Sequence, residues 1–481
     1  MKKQISLLLI IFFASLVKMN AQNSNAVIGD VLTLKQAVDI AIKNNLVVEQ
    51  TDITKQLAQV NKNQQIDYLL PNISANGSQT ISFGRSLNTY TYQYVNQQIN
   101  YGSYGINGNL ILFSGLQTQN FIKQYSLAYD ASKLDLEQQK QNITLSVLLA
   151  YLQVVSSQDL LDVSRRQADV DQKQVERLDL QNKDGALLLL YSLSDLKGQY
   201  ATDLANIATA ANTLETAKIN LFQLLNVPYK RDVQYEKIPL DLQMTDYQGS
   251  SDSIYNIALN TLPMIKSADL KVKSQQKNVA AIRGQYYPTL SLGAGVSTSY
   301  SDAATVSIPG SVSSVTTSDF VTVGGTNYNV ISQQQNFTSK NISFDDQFKN
   351  NKYTQVYLQL NIPILNYLRT RNSVKTAKIN LENAKYNAVS ARLGLQQIVE
   401  QAYQNMVMAS SQLKSDKDAV DGYAESFRIK EIQFNEGVIT SDVYLLAKNN
   451  IDRANINLTI AKYNYIFRAK ILDYYQGRLS Y

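Results

Sequence analysis

The sequence predicts a mainly α protein with a smaller β component, written twice: pairs of short strands, each followed by a pair of long antiparallel helices. Three observations carry this. The stretch from Leu110 to about Phe222 recurs 252 positions later, and a leading stretch recurs 217 positions later, with no gap inside either match. Between Gly115 and Gly185 there is neither Gly nor Pro, while Leu, Gln, Lys, Ala and Glu abound. The segments flanking the helices alternate apolar and polar residues with the period of two that a strand requires.

In the later match Leu110, Leu112 and Phe113 fall on Ile362, Ile364 and Leu365, Ala150 and Tyr151 on Ala402 and Tyr403, and Gly185 on Gly437. In the leading match Ala41 falls on Ala258, Ile53 on Leu270 and Pro71 on Pro288. The two offsets differ by 35 residues, which locates one insertion between Pro288 and Ile362. One repeat of this kind cannot close its own surface. The copies must therefore pack against each other or against copies from other chains.

Taken in order, the N-terminus carries Lys2, Lys3 and an apolar run from Ile5 to Leu16, then Met19, Asn20 and Ala21. This reads as a cleaved secretory signal at residues 1–21. The first repeat is expected at 22–225, a linking segment with Pro228, Pro239 and Gly249 at 226–250, and the second repeat at 251–481. Strands are expected at about 72–84 and 103–114, and again at about 289–300 and 353–365. Thus Tyr104, Ile106, Leu110 and Leu112 alternate with Gly105, Asn107, Asn109 and Ile111. Each segment is about the length that crosses an outer membrane at a tilt. Polar loops join each pair, and the second loop, roughly 300–352, holds the insertion and is expected to be exposed and mobile.

A helix over most of the span after Gly115 extends about 100 Å at 1.5 Å per residue. Its partner surface is visible in the spacing of Gln141, Leu145, Leu148, Leu152 and Val155, a coiled-coil seam. A second row at Ile143, Val147, Ala150 and Val154 asks for a neighbour on the other flank. Past Gly185, whose place suits a left-handed helix cap, the chain returns through Leu193, Leu196, Leu204, Leu214, Leu221 and Leu225. Ser192 or Ser194 is the expected cap of that helix. In the second copy the outgoing helix runs from about 367 to 436 through Gly394 and Gly422, where a kink would fall, and the turn is Gly437, with Thr440, Ser441 and Asp442 beyond it.

Composition narrows function. Cysteine and histidine are both absent, which removes disulfides, thiolate metal sites, the usual zinc ligands and the usual general base. No cofactor and no metal are expected, and an enzyme is not. The formal charge of +6 falls to +3 without Lys2, Lys3 and Lys18, which gives no ground for a nucleic-acid partner. No apolar run after residue 21 approaches the roughly 20 residues of a membrane helix, so a membrane must be crossed by strands. The chain has 31 Tyr and no Trp, and Tyr90, Tyr92, Tyr94, Tyr101 and Tyr104 suit an interfacial aromatic girdle or, equally, plain strand propensity.

The order helix, strand, strand, long helix, glycine turn, long helix, twice over, resembles the TolC family of outer-membrane efflux proteins across nearly the whole chain after residue 21. The residues that carry the resemblance are Leu34, Ala37, Ala41, Leu46 and Pro71 in the first copy and Ile254, Ala258, Leu259, Pro263 and Pro288 in the second. Added to these are Leu112, Phe113, Ser114 and Gly115 at the strand-to-helix junction and Gly437, Ser441, Asp442, Leu445 and Ala447 at the second turn. The resemblance implies a homotrimer whose strands form a shared twelve-stranded barrel in outer-membrane lipid, above a hollow periplasmic cylinder of coiled-coil helices. It implies tips that meet a periplasmic adaptor joined to an inner-membrane transporter. Where members of the family carry a gate of aspartates, six and nine residues past the second-turn glycine, this chain has Val443 and Leu446, with Asp442 one position early.

The expected function is an outer-membrane exit duct for small solutes. The alternatives are the exit duct of a type I protein secretion system and a periplasmic coiled-coil scaffold without a channel. Gly185 and Gly437 are expected as tip turns. Asp442 reads as a pore-mouth carboxylate or as a first-turn acid favoured by the helix dipole. Leu187, Leu188, Leu190 and Tyr191 form an apolar run suited to adaptor docking or to packing on a neighbouring hairpin. Asp162, Arg165, Arg166 and Asp169 read as a solvated helix face.

Overall fold

The computed structural model describes residues 30–88, 92–96, 98–183, 190–236 and 249–478. In chain order the elements are β1 (Val31–Leu32), α1 (Leu34–Asn44), α2 (Leu46–Asp67), β2 (Asn72–Ser82), β3 (Arg85–Asn88), β4 (Gln93–Asn96), β5 (Ile99–Ser114), α3 (Gln117–Lys183) and α4 (Leu190–Leu225). The second half follows with β6 (Gln234–Tyr235), α5 (Ser251–Thr261), α6 (Pro263–Arg283), β7 (Thr289–Ser301), β8 (Thr305–Val323), β9 (Thr326–Asn341), α7 (Phe344–Asn350), β10 (Tyr353–Asn361), α8 (Arg369–Asn435) and α9 (Ser441–Tyr475). The expected signal segment lies outside the described residues. Two compact units divide the chain: Met1–Ala58 with Ala128–Val272 and Ala384–Tyr481, and Gln59–Leu127 with Lys273–Asn383.

The duplication shows first in how helices start. Thr33 Oγ1 accepts from the Gln36 amide at 3.2 Å while Gln36 Oε1 accepts from the Thr33 amide at 3.1 Å, a reciprocal cap. Ser250 and Ser253 repeat the device at the head of α5. Each first helix then breaks after eleven residues. In one copy Asn45 restarts the chain by accepting from the Val47 and Val48 amides. In the other Pro263 opens α6, at the position where its missing N–H costs nothing.

In the first unit both apolar rows of α3 are buried. Ile143, Val147, Leu148, Tyr151, Leu152, Val154 and Val155 share one core with Ala37, Val38 and Ala41 of α1 and Leu214, Leu221 and Leu225 of α4. A stretch of α3 is long and apolar enough to cross a bilayer, contrary to the expectation for the chain after residue 21, and more than half of it is buried inside the protein. A second core joins α5, α8 and α9 through Ile254, Ala258, Val399, Met406 and Leu472. The segment expected to link the copies contributes β6, which pairs in parallel with β1. Tyr151, fully buried, sets its hydroxyl 2.8 Å from Leu32 O and 3.0 Å from Glu236 O, tying α3 to both strands of that ribbon at one end. Helix α4 already includes Ser192 and Ser194, and Ser194 donates back to Leu190 O. Neither serine caps it. Helix α8 is continuous through Gly394 and Gly422.

The second unit holds a four-stranded antiparallel sheet in the order β10-β7-β5-β2. The two copies meet at its centre, where β5 of the first pairs with β7 of the second. At the strand-to-helix junction Gly115 has φ +63°, and a side chain there would come within 2.4 Å of Gly284 O. Backbone crosses backbone at this point, which only glycine allows. The inserted loop is not irregular: β8 and β9 form a long exposed antiparallel ribbon. Its Val, Thr and Ile content favours strands, and Gly324–Gly325, with φ +59° and +82°, supply the two-residue turn that such a ribbon needs.

Replacing Tyr151 by Phe removes the hydroxyl shared by Leu32 O and Glu236 O. The expected cost is about 1–2 kcal/mol, read as a lower thermal midpoint by circular dichroism; an unchanged midpoint would show that the tie contributes nothing.

Candidate functional site

The sheet has two chemically distinct faces. Register places Ile73 and Ala75 of β2, Ile106 and Leu110 of β5, Leu290, Leu292, Ala294 and Val296 of β7, and Val356, Leu358 and Leu360 of β10 on one side. Most of these are exposed, Val356 70% and Leu358 65%, while Leu110, Leu290 and Leu292 are half-buried. The other side presents Ser74, Asn76, Asn107, Asn109, Ser291, Ser297, Gln355 and Gln359. There Asn107 donates to Asn76 at 2.9 Å, and the Tyr357 ring lies flat over Gly293, where a Cβ would come within 2.2 Å of it. A sheet apolar on one exposed face and polar on the other fits a wall between hydrocarbon and water.

Aromatic rings mark both ends of the apolar face. Tyr68, Tyr286, Tyr287 and Tyr367 are exposed where the strands join helices. At the far end Tyr104 and Tyr300 pack against Phe344 and Phe348 of α7. Of the tyrosines expected in a girdle, Tyr104 belongs to this cluster and Tyr101 falls on the polar face. Tyr92 and Tyr94 stand on the small β3–β4 ribbon, and Tyr90 lies outside the described residues.

At the second turn Gly437 has φ +72°, and the Val438 amide donates to Gln433 O at 2.8 Å while that of Gly437 donates to Phe434 O. This closes α8 in the double-bonded left-handed manner. Asp442 sits exposed in the first turn of α9, its carboxyl held low by a hydrogen bond from the Thr440 side chain and by amides of that turn. Beneath it Tyr444 stacks on Phe434 at 4.6 Å, in a small core with Leu178, Leu193 and Leu196. Leu190 and Tyr191 open α4 and are exposed. Gly185, Leu187 and Leu188 lie outside the described residues. Asp162 and Arg165 form an exposed pair at 3.9 Å.

A buried charge cluster went unseen in the sequence. Lys448 of α9, 1% exposed, reaches Asp452 at 2.6 Å, Asp171 of α3 at 3.0 Å and Asp203 of α4 at 3.4 Å. Gln199 donates to Asp203 at 3.0 Å and Gln167 to Asp452 O at 3.1 Å. Burial pushes the Asp171 carboxyl up to about 7 against the pull of Lys448, and burial likewise raises Asp452. Burial also works against the Lys448 ammonium, but the carboxylates outweigh it and hold it raised. Three carboxyls against one cation in a dry seam keep a proton near neutrality. The signal was present: Lys448 follows Tyr444 and precedes Ile451 on an otherwise apolar row, and the matching residue in the first copy is the fully buried Leu196.

Residues 254–473 match the model of the family described as outer membrane efflux protein. The outer membrane protein TolC of Escherichia coli (strain K12) is 23% identical over 330 residues, 68% of this chain and 59% of its own length. The second half of the chain thus resembles outer membrane efflux proteins. Among solved structures, the outer membrane protein VceC of Vibrio cholerae superposes with a TM-score of 0.68 at 14% identity, covering 93% of this chain and 97% of that one. The Campylobacter jejuni CmeC outer membrane channel gives 0.67 at 17% identity, covering 93% and 87%. The relatives named are outer membrane proteins or channels, and this chain spans 59% of the length of the TolC it matches.

Removing the cation leaves three carboxyls in the seam, so Lys448→Ala should destabilise the protein by about 3 kcal/mol or more. A melting temperature within a degree of wild type would refute this. A carboxyl raised on folding contributes stability that is complete below about pH 4 and is lost as pH rises through about 7. The wild type should therefore melt lower at pH 8 than at pH 5, and Asp171→Asn should flatten that slope; equal slopes would contradict the assignment.

Proposed function

We propose that three copies of the chain close a twelve-stranded barrel and form a passive exit duct for small solutes, engaged from the periplasm by an adaptor and an inner-membrane transporter. One observation carries the reading: a four-stranded sheet, apolar and largely exposed on one face, whose edge strands β2 and β10 have no partner on their outer sides among the described residues. In lipid those edges must pair, and four strands are too few to curve back on themselves. Pairing β10 of one copy with β2 of the next meets both needs. The named relatives are outer membrane proteins or channels, and the chain performs no chemistry in this reading.

The polar face of the closed sheet lines the water path with Asn, Ser and Gln rather than with charge, so the barrel itself selects weakly. Selection falls to the tips. There Asp442, tripled by symmetry, is proposed to line the mouth, and Leu190 and Tyr191, apolar and exposed, are proposed as adaptor contacts.

Purified protein should need detergent, run as a trimer by native mass spectrometry and give stepwise currents in a planar bilayer. A soluble monomer without current is the result that removes the duct. Leu190→Glu with Tyr191→Glu should leave those currents intact while abolishing adaptor co-purification. Asp442→Asn should reduce cation preference in single-channel recording, and an unchanged preference would leave it as a helix-start acid alone.

A further inference from the structure

The far end of the apolar face carries a feature that a plain membrane wall does not need. After the ribbon, α7 folds back onto β7: Thr298 donates to Phe348 O at 2.9 Å, Gln347 both donates to Ser301 O and accepts from its amide, and Asn351 donates to Ser299 O. Because Thr298 shares the side of Val296 and Ile106, α7 lies on the apolar face. Between them opens a groove of about 550 Å³. Its floor includes Ala75, Ile106 and Val296, and its rim Phe348, Lys349 and Lys352.

The level of this groove follows from strand geometry. From Leu290, where the apolar face begins, to Thr298 the strand advances about 26 Å at 3.3 Å per residue. With a tilt of about 40° this rises about 20 Å, close to the far rim of an apolar band about 25 Å tall. Lys349 and Lys352 thus stand where headgroups begin, above an apolar floor. Neither ammonium has a carboxylate at ion-pair distance among the described residues, although Asp345 and Asp346 of α7 lie one helical turn before Lys349.

We infer that this groove binds one phosphorylated outer-leaflet lipid per subunit, an acyl chain lying along Ala75, Ile106 and Val296 and the phosphate held by Lys349 and Lys352. The occupant is amphipathic, since Ala75, Ile106 and Val296 offer apolar floor to a chain while Lys349 and Lys352 offer two cations to an anionic headgroup. Phe344, Phe348, Tyr104 and Tyr300 anchor the site at the interface, as aromatic belts do. The inference rests on the proposed orientation of the sheet in the outer membrane.

The test is native mass spectrometry of the full chain extracted in detergent, titrated with diphosphorylated lipid A and, separately, with a phosphate-free glycolipid of equal chain length. Wild type should retain one lipid A per subunit and little of the phosphate-free lipid, and millimolar inorganic phosphate should not displace it. Lys349→Gln with Lys352→Gln should lower occupancy by about tenfold or more, while the same spectrum reports trimers and so separates this result from a failure of the duct reading. Equal retention by wild type and double variant, equal binding of the two lipids, or displacement by inorganic phosphate would each overturn the site. So would a wild-type trimer that retains no lipid because a neighbouring copy covers the groove.

Discussion

Backbone pairing at the edges of a sheet in hydrocarbon is the constraint on which this molecule depends. An amide or carbonyl left unpaired among acyl chains costs several kcal/mol, and β2 and β10 each present a row of them. The helical unit packs cores within the chain, in α1 with α3 and α4 and in α5 with α8 and α9, yet leaves Leu57, Leu393, Met408 and Leu446 exposed. The proposed sister copies would cover apolar helix faces as well as pair the strand edges. Edge pairing is also why the strands can be so polar on one face: once the edges are paired, only the outward face needs to suit lipid.

Duplication supplies the parts, and departures from it supply the specialisation. The capping pair at Thr33 and Gln36 has its counterpart at Ser250 and Ser253, and the two strand pairs merge into one sheet. Against that regularity, Lys448 stands where the first copy has Leu196, and it meets Asp171 and Asp203 from both helices of the first hairpin. A buried cation tied to three helices fixes their register at a cost in desolvation. The ribbon and α7 are the second departure. The first strand pair carries only the short β3–β4 ribbon among the described residues, whereas the second adds the long ribbon and α7, which place charge and aromatic rings at one rim.

Much of the plan was legible because it is periodic. Alternation announced the two-faced strands, and seams three and four apart announced α3, whose rows at Val147 and Leu148 are indeed buried. What escaped notice has physical reasons. Thr305–Asn341 is rich in Ser, Thr, Asn and Gln, which read as loop, yet its interspersed Val, Ile and Thr and the Gly324–Gly325 turn specify a ribbon. Ser192 and Ser194 looked like caps but lie inside α4, where a serine can bond its own preceding turn instead. The Lys448 cluster joins residues more than two hundred positions apart, and composition along one helix does not reveal which acids another helix will bring to it.

The assignment of the two sheet faces can be tested most directly by thiol labelling, because the chain contains no cysteine. Single cysteines would be placed in alternation along β7 and β10, at Ser291, Leu292, Gln359 and Leu358, and exposed in native outer membranes to a charged maleimide. The account predicts labelling at positions 291 and 359 and protection at 292 and 358. Labelling of both sets alike would contradict it.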